Sequence, residues 1–392
     1  MPSQPWQRNV YIIAVAEFIA LLGFSLFIPF IPLYLQALGH LDSGGAAFWS
    51  GIATGGAGLA MFISSPMWGI IADRWGRKPM LLRAQFGGAI VIALLTIAPN
   101  IYVVVGLRAV QGLFTGTVTA ASALIAAMTP KDKLPSSMGI LMGAVFGGQT
   151  LGPLLGGYLA GAFGFNVTFI ITAVLLVIGG LIVLMGVREK FERPVAATNI
   201  SARGLLNLAF SRQLLPVLII TALVGLGPQI VSPILSLIFS SFNDLRDASI
   251  SAGEAFALMG IITTISALIF GRLYGKIPLR AILASSCIVT GLLYIPPIWA
   301  NSSLHLIVLV GLTGLFFGGI ITSSQALVSL MISGNQQGVA YGLAQSASSL
   351  GGGLGPFIGG GLAPLIGLKP VFGVTAGVMV FVGLLASRII RQ

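Results

Sequence analysis

Charge is scarce in this chain of 392 residues. Asp, Glu, Lys and Arg make up 7% of it, against about 25% in an ordinary soluble domain. So thin a supply of charge, beside 56% hydrophobic residues, excludes a water-soluble globular fold. Cysteine is nearly missing as well: Cys287 stands alone in an apolar stretch, so no intrachain disulfide can form and the redox compartment is not legible. Histidine occurs at His40 and His305, neither with a second ligand at metal-binding spacing, and no metal site or other cofactor is expected. No G-x-x-x-x-G-K-[ST] loop is present to cradle phosphates, so ATP is not the expected energy source. Nothing combines a nucleophile, a base and an oxyanion hole, so an enzyme is not expected either.

Apolar sequence is what the chain has in excess. Runs of about 20 residues or more recur from Val10 to Ser387, each long enough at about 1.5 Å per residue to cross a hydrocarbon layer of about 30 Å. They are too long and too continuous for barrel strands, which predicts an all-α membrane protein. Breaks at turn residues and charges place twelve spans, at 9–36, 49–72, 79–98, 101–128, 136–163, 166–187, 213–241, 250–274, 278–299, 303–330, 336–366 and 368–388. No small-residue cleavage site follows the first run, so it reads as a retained helix and not a signal peptide.

A net charge of +11 would suggest a nucleic-acid partner in a soluble protein. The location of the charges argues for the membrane instead. With the N-terminus in the cytoplasm, 17 of the 20 Lys and Arg fall in cytoplasmic segments, leaving Arg246 and Lys369 outside and Arg108 in the membrane. This positive-inside bias predicts a multi-pass protein of a bacterial-type inner membrane with both termini cytoplasmic, in contact with lipid and not with nucleic acid.

One long polar stretch, 188–212, holds five basic and two acidic residues and splits the spans into two sets of six. It reads as a cytoplasmic linker between an N-terminal bundle, 1–187, and a C-terminal bundle, 213–392. The halves repeat. Leu22-Gly23 and Pro29 recur as Leu226-Gly227 and Pro233, at an offset of 204. Gly148-x-x-x-Gly152-Pro153-x-x-Gly156-Gly157 recurs as Gly351-x-x-x-Gly355-Pro356-x-x-Gly359-Gly360, at an offset of 203. Val105-Gly106-Leu107 before Arg108 recurs as Val310-Gly311-Leu312 before Thr313, at 205. Parallel repeats of this kind let one bundle rock against the other around a site near the midplane.

The loop after the second span reads Gly69-Ile-Ile-Ala-Asp73-Arg74-Trp75-Gly76-Arg77-Lys78. It resembles the signature of the major facilitator superfamily, and the resemblance covers the whole chain. Arg108-Ala-Val-Gln111-Gly112 resembles an element associated with proton-coupled members. The duplicated glycine–proline element and Leu22-Gly23 with Pro29 and Pro32 resemble the multidrug efflux, drug:proton antiporter branch. The resemblance implies twelve helices in two pseudo-symmetric bundles, and a cytoplasmic gate latched by Gly69, Asp73, Arg74, Gly76, Arg77 and Lys78. There Asp73 faces the start of the eleventh helix, around Asn335 to Gln337. Gly69 permits close helix approach and Gly76 a tight turn; the plainer alternative is a loop that only sets topology. Its second-half counterpart, Gly271-Arg272-Leu-Tyr-Gly275-Lys276, has glycine in place of the acid. Glycine at Gly139, Gly143 and Gly147, and at Gly351, Gly355 and Gly359, offers smooth stripes for helix contact, with or without a gating role. Pro153 and Pro356 are placed to kink those helices.

Two ionisable residues, Glu17 and Arg108, lie deep in apolar spans. A charge at the bilayer centre costs about 2.5–3.5 kcal/mol on insertion scales, so each needs a partner or a wet cavity, and they are the obvious pair. Movement of the arginine toward or away from the carboxylate would switch its proton off and on. A static pair joining two helices is the alternative. Phe24, Ser25, Gln111, Gln149, Gln229, Thr313 and Gln345, with Glu17, are the expected cavity lining, although a glutamine in a span can equally serve as interhelical glue.

These features together predict a secondary transporter, monomeric, exporting amphipathic or cationic drugs in exchange for protons. Glu17 would be the proton site and Arg108 its modulator. One proton moving down 100 mV supplies about 2.3 kcal/mol, enough for a gradient on the order of fifty-fold in a neutral substrate. Export of one metabolite, such as a sugar or siderophore, proton-symport uptake, and a non-transporting sensor or scaffold are the other readings that the residues allow.

Overall fold

The computed structural model describes residues 5–130, 132–189, 209–211, 214–273, 275–330 and 337–389. Among these, twelve helical segments are long and apolar enough to cross a membrane. In chain order they are Trp6–Gly39, Ser43–Ser65, Arg77–Leu95, Ile101–Met128, Leu134–Phe163 and Phe165–Gly186, then Leu214–Phe239, Leu245–Leu273, Leu279–Trp299, Ser303–Ser324, Gly342–Ile366 and Val371–Arg388. They are called spans one to twelve below. The second and eighth begin earlier than the sequence suggests, because polar residues that read as loop start the helix. Asp42 accepts from the Gly45 backbone N–H at 2.9 Å and so caps a helix that runs to Trp75.

Several spans are bent or broken where the chain cannot continue its hydrogen bonding. Span one changes to a short tight turn at Ile28–Phe30, around Pro29. Span seven breaks in the same way after Val231, next to Pro233. Span four stops at Phe114 and restarts at Thr117, with Gly116 at a φ of +111° between them.

The two halves pack alike. Span one lies against spans five and six, three against six, and two against four; span seven lies against eleven and twelve, nine against twelve, and eight against ten. Each half has its own apolar core, one around Phe27, Leu124 and Phe169, the other around Val217, Cys287 and Met379. The halves meet where span two crosses eleven and span five crosses eight.

An even number of spans puts both termini on one side, here the terminal side; the other is the far side. A third core joins the halves on the far side, with Phe30, Ala46 and Ala47 packed among Ile230, Ile234 and Ala252. The crossings there are backbone-close. A Cβ built on Gly51 would lie 3.0 Å from Gly360 Cα, and one on Gly157 3.3 Å from Gly253 Cα. Toward the terminal side, a Cβ on Gly69, Gly139, Gly143 or Gly342 would meet nothing within 4 Å among the described residues. The halves are therefore shut on the far side and parted on the terminal side. Gly69, Gly139 and Gly143 support no close helix contact in this conformation, contrary to the expectation from their spacing.

The duplicated glycine–proline element explains the far-side closure. In span five, Gly148, Gly152 and Gly156 receive span one of their own half, a Cβ on Gly148 lying 2.6 Å from Phe18 O and one on Gly152 2.8 Å from Leu22 O. Gly157, one step round the helix, meets span eight of the other half, and the Pro153 carbonyl lies against Gly253. Span eleven repeats this: Gly351, Gly355 and Gly359 receive span seven, while Gly360 and the Pro356 carbonyl meet Gly51 of span two. One element thus docks a helix within its half and seats the other half beside it.

These two duties separate by mutation. Gly152→Val forces apart helices of one bundle and should destabilise the protein by about 1–3 kcal/mol, read from unfolding in detergent. Gly360→Val acts at the far-side crossing, so its main effect should be a raised population open on the far side, read from thiol labelling of a cysteine placed at the buried Ala46 in a Cys287→Ser background.

Candidate functional site

A cavity of ≈ 280 Å³ lies in the C-terminal bundle, lined by residues of spans seven, ten and eleven. Thr221, Gln229, Ser324, Gln345 and Ser348 supply hydroxyls and amides, and Val224, Phe317 and Ile321 supply apolar wall. No lining residue is charged. Gln229 and Gln345 of the expected set thus come together here. Gln149 is exposed on span five. It lies in rotation between Gly148, which meets span one, and Thr150, which meets span eight, so it faces the cleft from the opposite bundle. Ser324 and Ser348 join them outside the expected set; each belongs to a serine pair in a largely apolar span, which is the signal the sequence offers.

The other expected lining residues lie elsewhere. Phe24 is buried in the N-terminal core, its ring against Gly88 of span three. Ser25 packs on Gly152 of span five. Thr313 is fully buried and donates to the Val310 carbonyl at 2.6 Å. Gln111 is buried as the acceptor for Arg108. Each is a polar or aromatic side chain in an expected cavity span, but the rotation of its helix points it into its own bundle.

Glu17 is fully buried, at 0% exposure, inside the N-terminal bundle and not in the cleft. Thr117 of span four and Gln85 of span three are the polar groups beside it, yet neither carboxylate oxygen accepts a well-aligned hydrogen bond. A charge there needs donors, which small rotations of these two side chains could bring. Arg108 is also buried, but it does not pair with Glu17. Its Nη1 donates to Gln111 Oε1, and its guanidinium lies 5.6 Å over the Phe27 ring. Phe27 stands ten residues beyond Glu17 on span one, which is about 15 Å of helix. The antiparallel register of spans one and four therefore sets Thr117, not Arg108, opposite the acid.

Thr117 begins the second half of the broken span four. Bare carbonyls at such a break need partners, because lipid offers none. Three side chains supply them. Trp68 Nε1 donates to Leu113 O at 2.7 Å, Ser64 Oγ to Gly112 O at 3.5 Å, and Arg83 Nη2 to Phe114 O at 3.5 Å and Thr115 O at 3.3 Å. The Arg83 guanidinium also lies 3.8 Å over the Trp68 ring. The spacing Arg108 to Gly112 marked this segment, but not its break.

The loop after span two is held within its own half. Gly76 turns the chain at a φ of +97°. The Arg77 and Lys78 backbone N–H groups donate to Glu189 at 2.9 and 2.8 Å, and Lys78 Nζ donates to the Leu184 and Val187 carbonyls at 2.8 and 2.6 Å. Arg74 is exposed. Glu189 thus caps the positive start of span three, a role not visible in a residue that reads as linker. The Asp73 side chain and the segment 331–336, which includes Asn335 and Gln336, lie outside what the structure describes, as does the side chain of Gln337.

The model of the Major Facilitator Superfamily matches residues 13–226 and 217–392. The chain belongs to that superfamily. Multidrug resistance protein MdtG of Dickeya zeae is 35% identical over 376 residues, which is 95% of this transporter and 92% of that protein. The protein of the same name from Escherichia coli K12 is 32% identical over 389 residues, 99% and 95% of the two chains. Among solved structures, a bacterial homolog of the human lysosomal transporter Spinster, inward-facing and occupied, matches with a TM-score of 0.80 at 13% identity, covering 99% of this chain and 98% of that one. The nucleoside transporter NupG matches at 0.78 and 17%, covering 98% and 100%. At such identities the likeness is one of fold, and it agrees with the twelve helices in two bundles seen here. This transporter is a multi-pass inner-membrane protein that moves small molecules, and it is not an enzyme.

The capped break makes a stability prediction. Arg83→Met leaves two carbonyls and the Trp68 ring without their partner and should cost about 1–3 kcal/mol. Trp68→Phe, which keeps the ring and loses one donor, should cost less. Thermal unfolding in detergent, followed by circular dichroism, ranks the two.

Proposed function

We propose that this transporter exports amphipathic drugs from the cytoplasm in exchange for protons, by alternating access. The observation that carries the reading is the uncharged cavity of the C-terminal bundle, lined by spans seven, ten and eleven. A pocket with an apolar wall and a few amides and hydroxyls holds varied amphipathic molecules, since it makes few fixed polar demands. The names of the MdtG relatives, similar over the whole chain, support drugs as the cargo.

The terminal side is the cytoplasmic side in this proposal, on the strength of the positive-inside bias. The conformation is then inward-facing, with the cavity waiting for compounds in the cytoplasm or the inner leaflet. The bundles 1–187 and 213–392, joined by the linker 188–212, rock as two bodies about the crossings of spans two with eleven and five with eight, and the transporter works as a monomer.

Glu17 is the proton site. Buried away from the cavity, it does not touch the drug, so proton and drug are exchanged through the shape of the N-terminal bundle and not by competition for one carboxylate. The hinge is the break at Thr115 and Gly116. Motion of the half-helix Thr117–Met128 carries Thr117 toward or away from Glu17 and alters both its donors and its access to water. Arg108, fixed on Gln111 and Phe27, holds the other half-helix still while this happens. Asp73 and its neighbours in the loop after span two act at the cytoplasmic gate when that side closes.

Purified protein in liposomes, with a pH gradient imposed and a fluorescent drug followed, tests the reading. Wild type should move the drug against its gradient. Glu17→Gln should lose at least about tenfold of the gradient-driven rate while drug binding changes by less than about twofold, since only a transport step is touched. Equal transport by both proteins would sink the role given to Glu17.

A further inference from the structure

Gln85 of span three is fully buried, and neither the nitrogen nor the oxygen of its amide has a hydrogen-bond partner. It stands beside Glu17, whose two carboxyl oxygens are also unpartnered. Two bare polar groups side by side, in a core that holds Ile13, Ala16, Leu81 and Leu124, are what native packing normally avoids. Each is the partner that the other lacks.

Gly179 of span six makes room for the amide. A Cβ built there would lie 3.2 Å from the Ala16 carbonyl oxygen and 3.4 Å from Gln85 Oε1. The amide thus reaches the residue before Glu17 at a place where span six has no side chain. Gln85 also stands on a fixed support. It lies eight residues beyond Arg77, about 12 Å along the helix, and the start of that helix is tied to Glu189, Leu184 and Val187 at the end of span six. Thr117, the other polar neighbour of Glu17, begins the half-helix after the break in span four.

A glutamine amide carries an acceptor on one arm and two N–H donors on the other. Its last torsion is broad and roughly two-fold, so exchanging the arms costs little. An ionised Glu17 needs a donor, whereas a protonated one brings an O–H that needs an acceptor. Glu17 is 0% exposed, so bulk water supplies neither. The state of this contact is therefore tied to the proton by burial: whichever form Glu17 takes, a different arm of the amide is the one that satisfies it.

We propose that Gln85 is the positioning residue of the proton site and turns its amide over each time the proton arrives or leaves. With Glu17 ionised, Nε2–H donates to the carboxylate; with Glu17 protonated, the acid O–H donates to Oε1. The proton passes between water and Glu17, and the amide neither gains nor loses one. Gln85 is the stationary partner and Thr117 the moving one. The inference rests on the reading of Glu17 as the proton site.

Among the described residues no other titratable side chain faces the pair. The elements packed on spans one and three are spans two, four, five and six and the turn Ile28–Phe30. Arg108 is held on Gln111 and Phe27, and Arg83 on Trp68 and the broken end of span four. Arg8, Tyr11, Arg74, Arg77 and Lys78 lie toward the terminal side, and Tyr34, Tyr102 and Tyr158 toward the far side.

Infrared difference spectra of the full chain in lipid films, recorded from about pH 4 to about pH 10, follow the carboxyl C=O band of Glu17. Loss of the band in Glu17→Gln assigns it. Gln85→Met keeps the bulk of the side chain and removes both arms. In that variant the midpoint of the band should rise by about one pH unit, or about tenfold in proton affinity, because the ionised form loses the stronger bond. The band should also move to higher wavenumber, since the acid O–H has lost its acceptor. The exchanged pair, Glu17→Gln with Gln85→Glu, sets the same two groups face to face and should restore a titrating band within about one unit of wild type. A midpoint and band position that stay unchanged in Gln85→Met overturn the proposal. An exchanged pair with no titrating band does so as well, and it decides the matter where Gln85→Met does not fold. Either result leaves Glu17 standing as the proton site. A wild-type spectrum in which Glu17→Gln removes no band instead takes away that reading, and the role of Gln85 with it.

Discussion

Lipid gives two helix bundles no hydrophobic reason to adhere, because its tails are as apolar as the leucines they would replace. Halves of this transporter can hold together only where their backbones come close enough for dense van der Waals contact, and glycine is what permits it. Gly51 against Gly360 and Gly157 against Gly253 are such places. They sit on one side of the molecule and leave the other parted. The separation of Gly69, Gly139 and Gly143 from any described neighbour follows from this placement.

The repeat is faithful in packing and unfaithful in chemistry. Glycines at matching positions dock span one on five and span seven on eleven. Yet Arg108 is matched by Thr313 and Glu17 by Thr221, at offsets of 205 and 204. The first half buries a carboxylate and a guanidinium in its interior, and the second half turns its matching threonine, Thr221, to an uncharged cavity wall. A shared scaffold has thus been given ionisable groups on one side and a cargo surface on the other. The break in span four belongs to the same division, since it places Thr117 beside the acid and draws Trp68, Ser64 and Arg83 to cover the freed carbonyls.

Twelve spans, their division into two sets and the family were legible because each rests on length and repetition, which survive without coordinates. The glycine–proline element was legible as a contact surface, but not that its fourth glycine reaches the other half, since one step of rotation decides this. Rotation and register also explain what was missed at the site. Glu17 and Arg108 share a depth in a hydropathy plot but not a height along two antiparallel helices. Phe24 and Thr313 sit in the right helices and turn the wrong way. Glu189 is not legible as a cap because it lies past the end of a span.

Glu189 ties together parts of the chain more than a hundred residues apart, since it receives the backbone of Arg77 and Lys78. The first bundle is therefore not complete at the last apolar residue of span six. A fragment ending at Gly186 would leave the start of span three with two bare amides and would lose the Val187 carbonyl that holds Lys78. The natural cut between the halves falls after 189, a few residues later than hydropathy alone would place it.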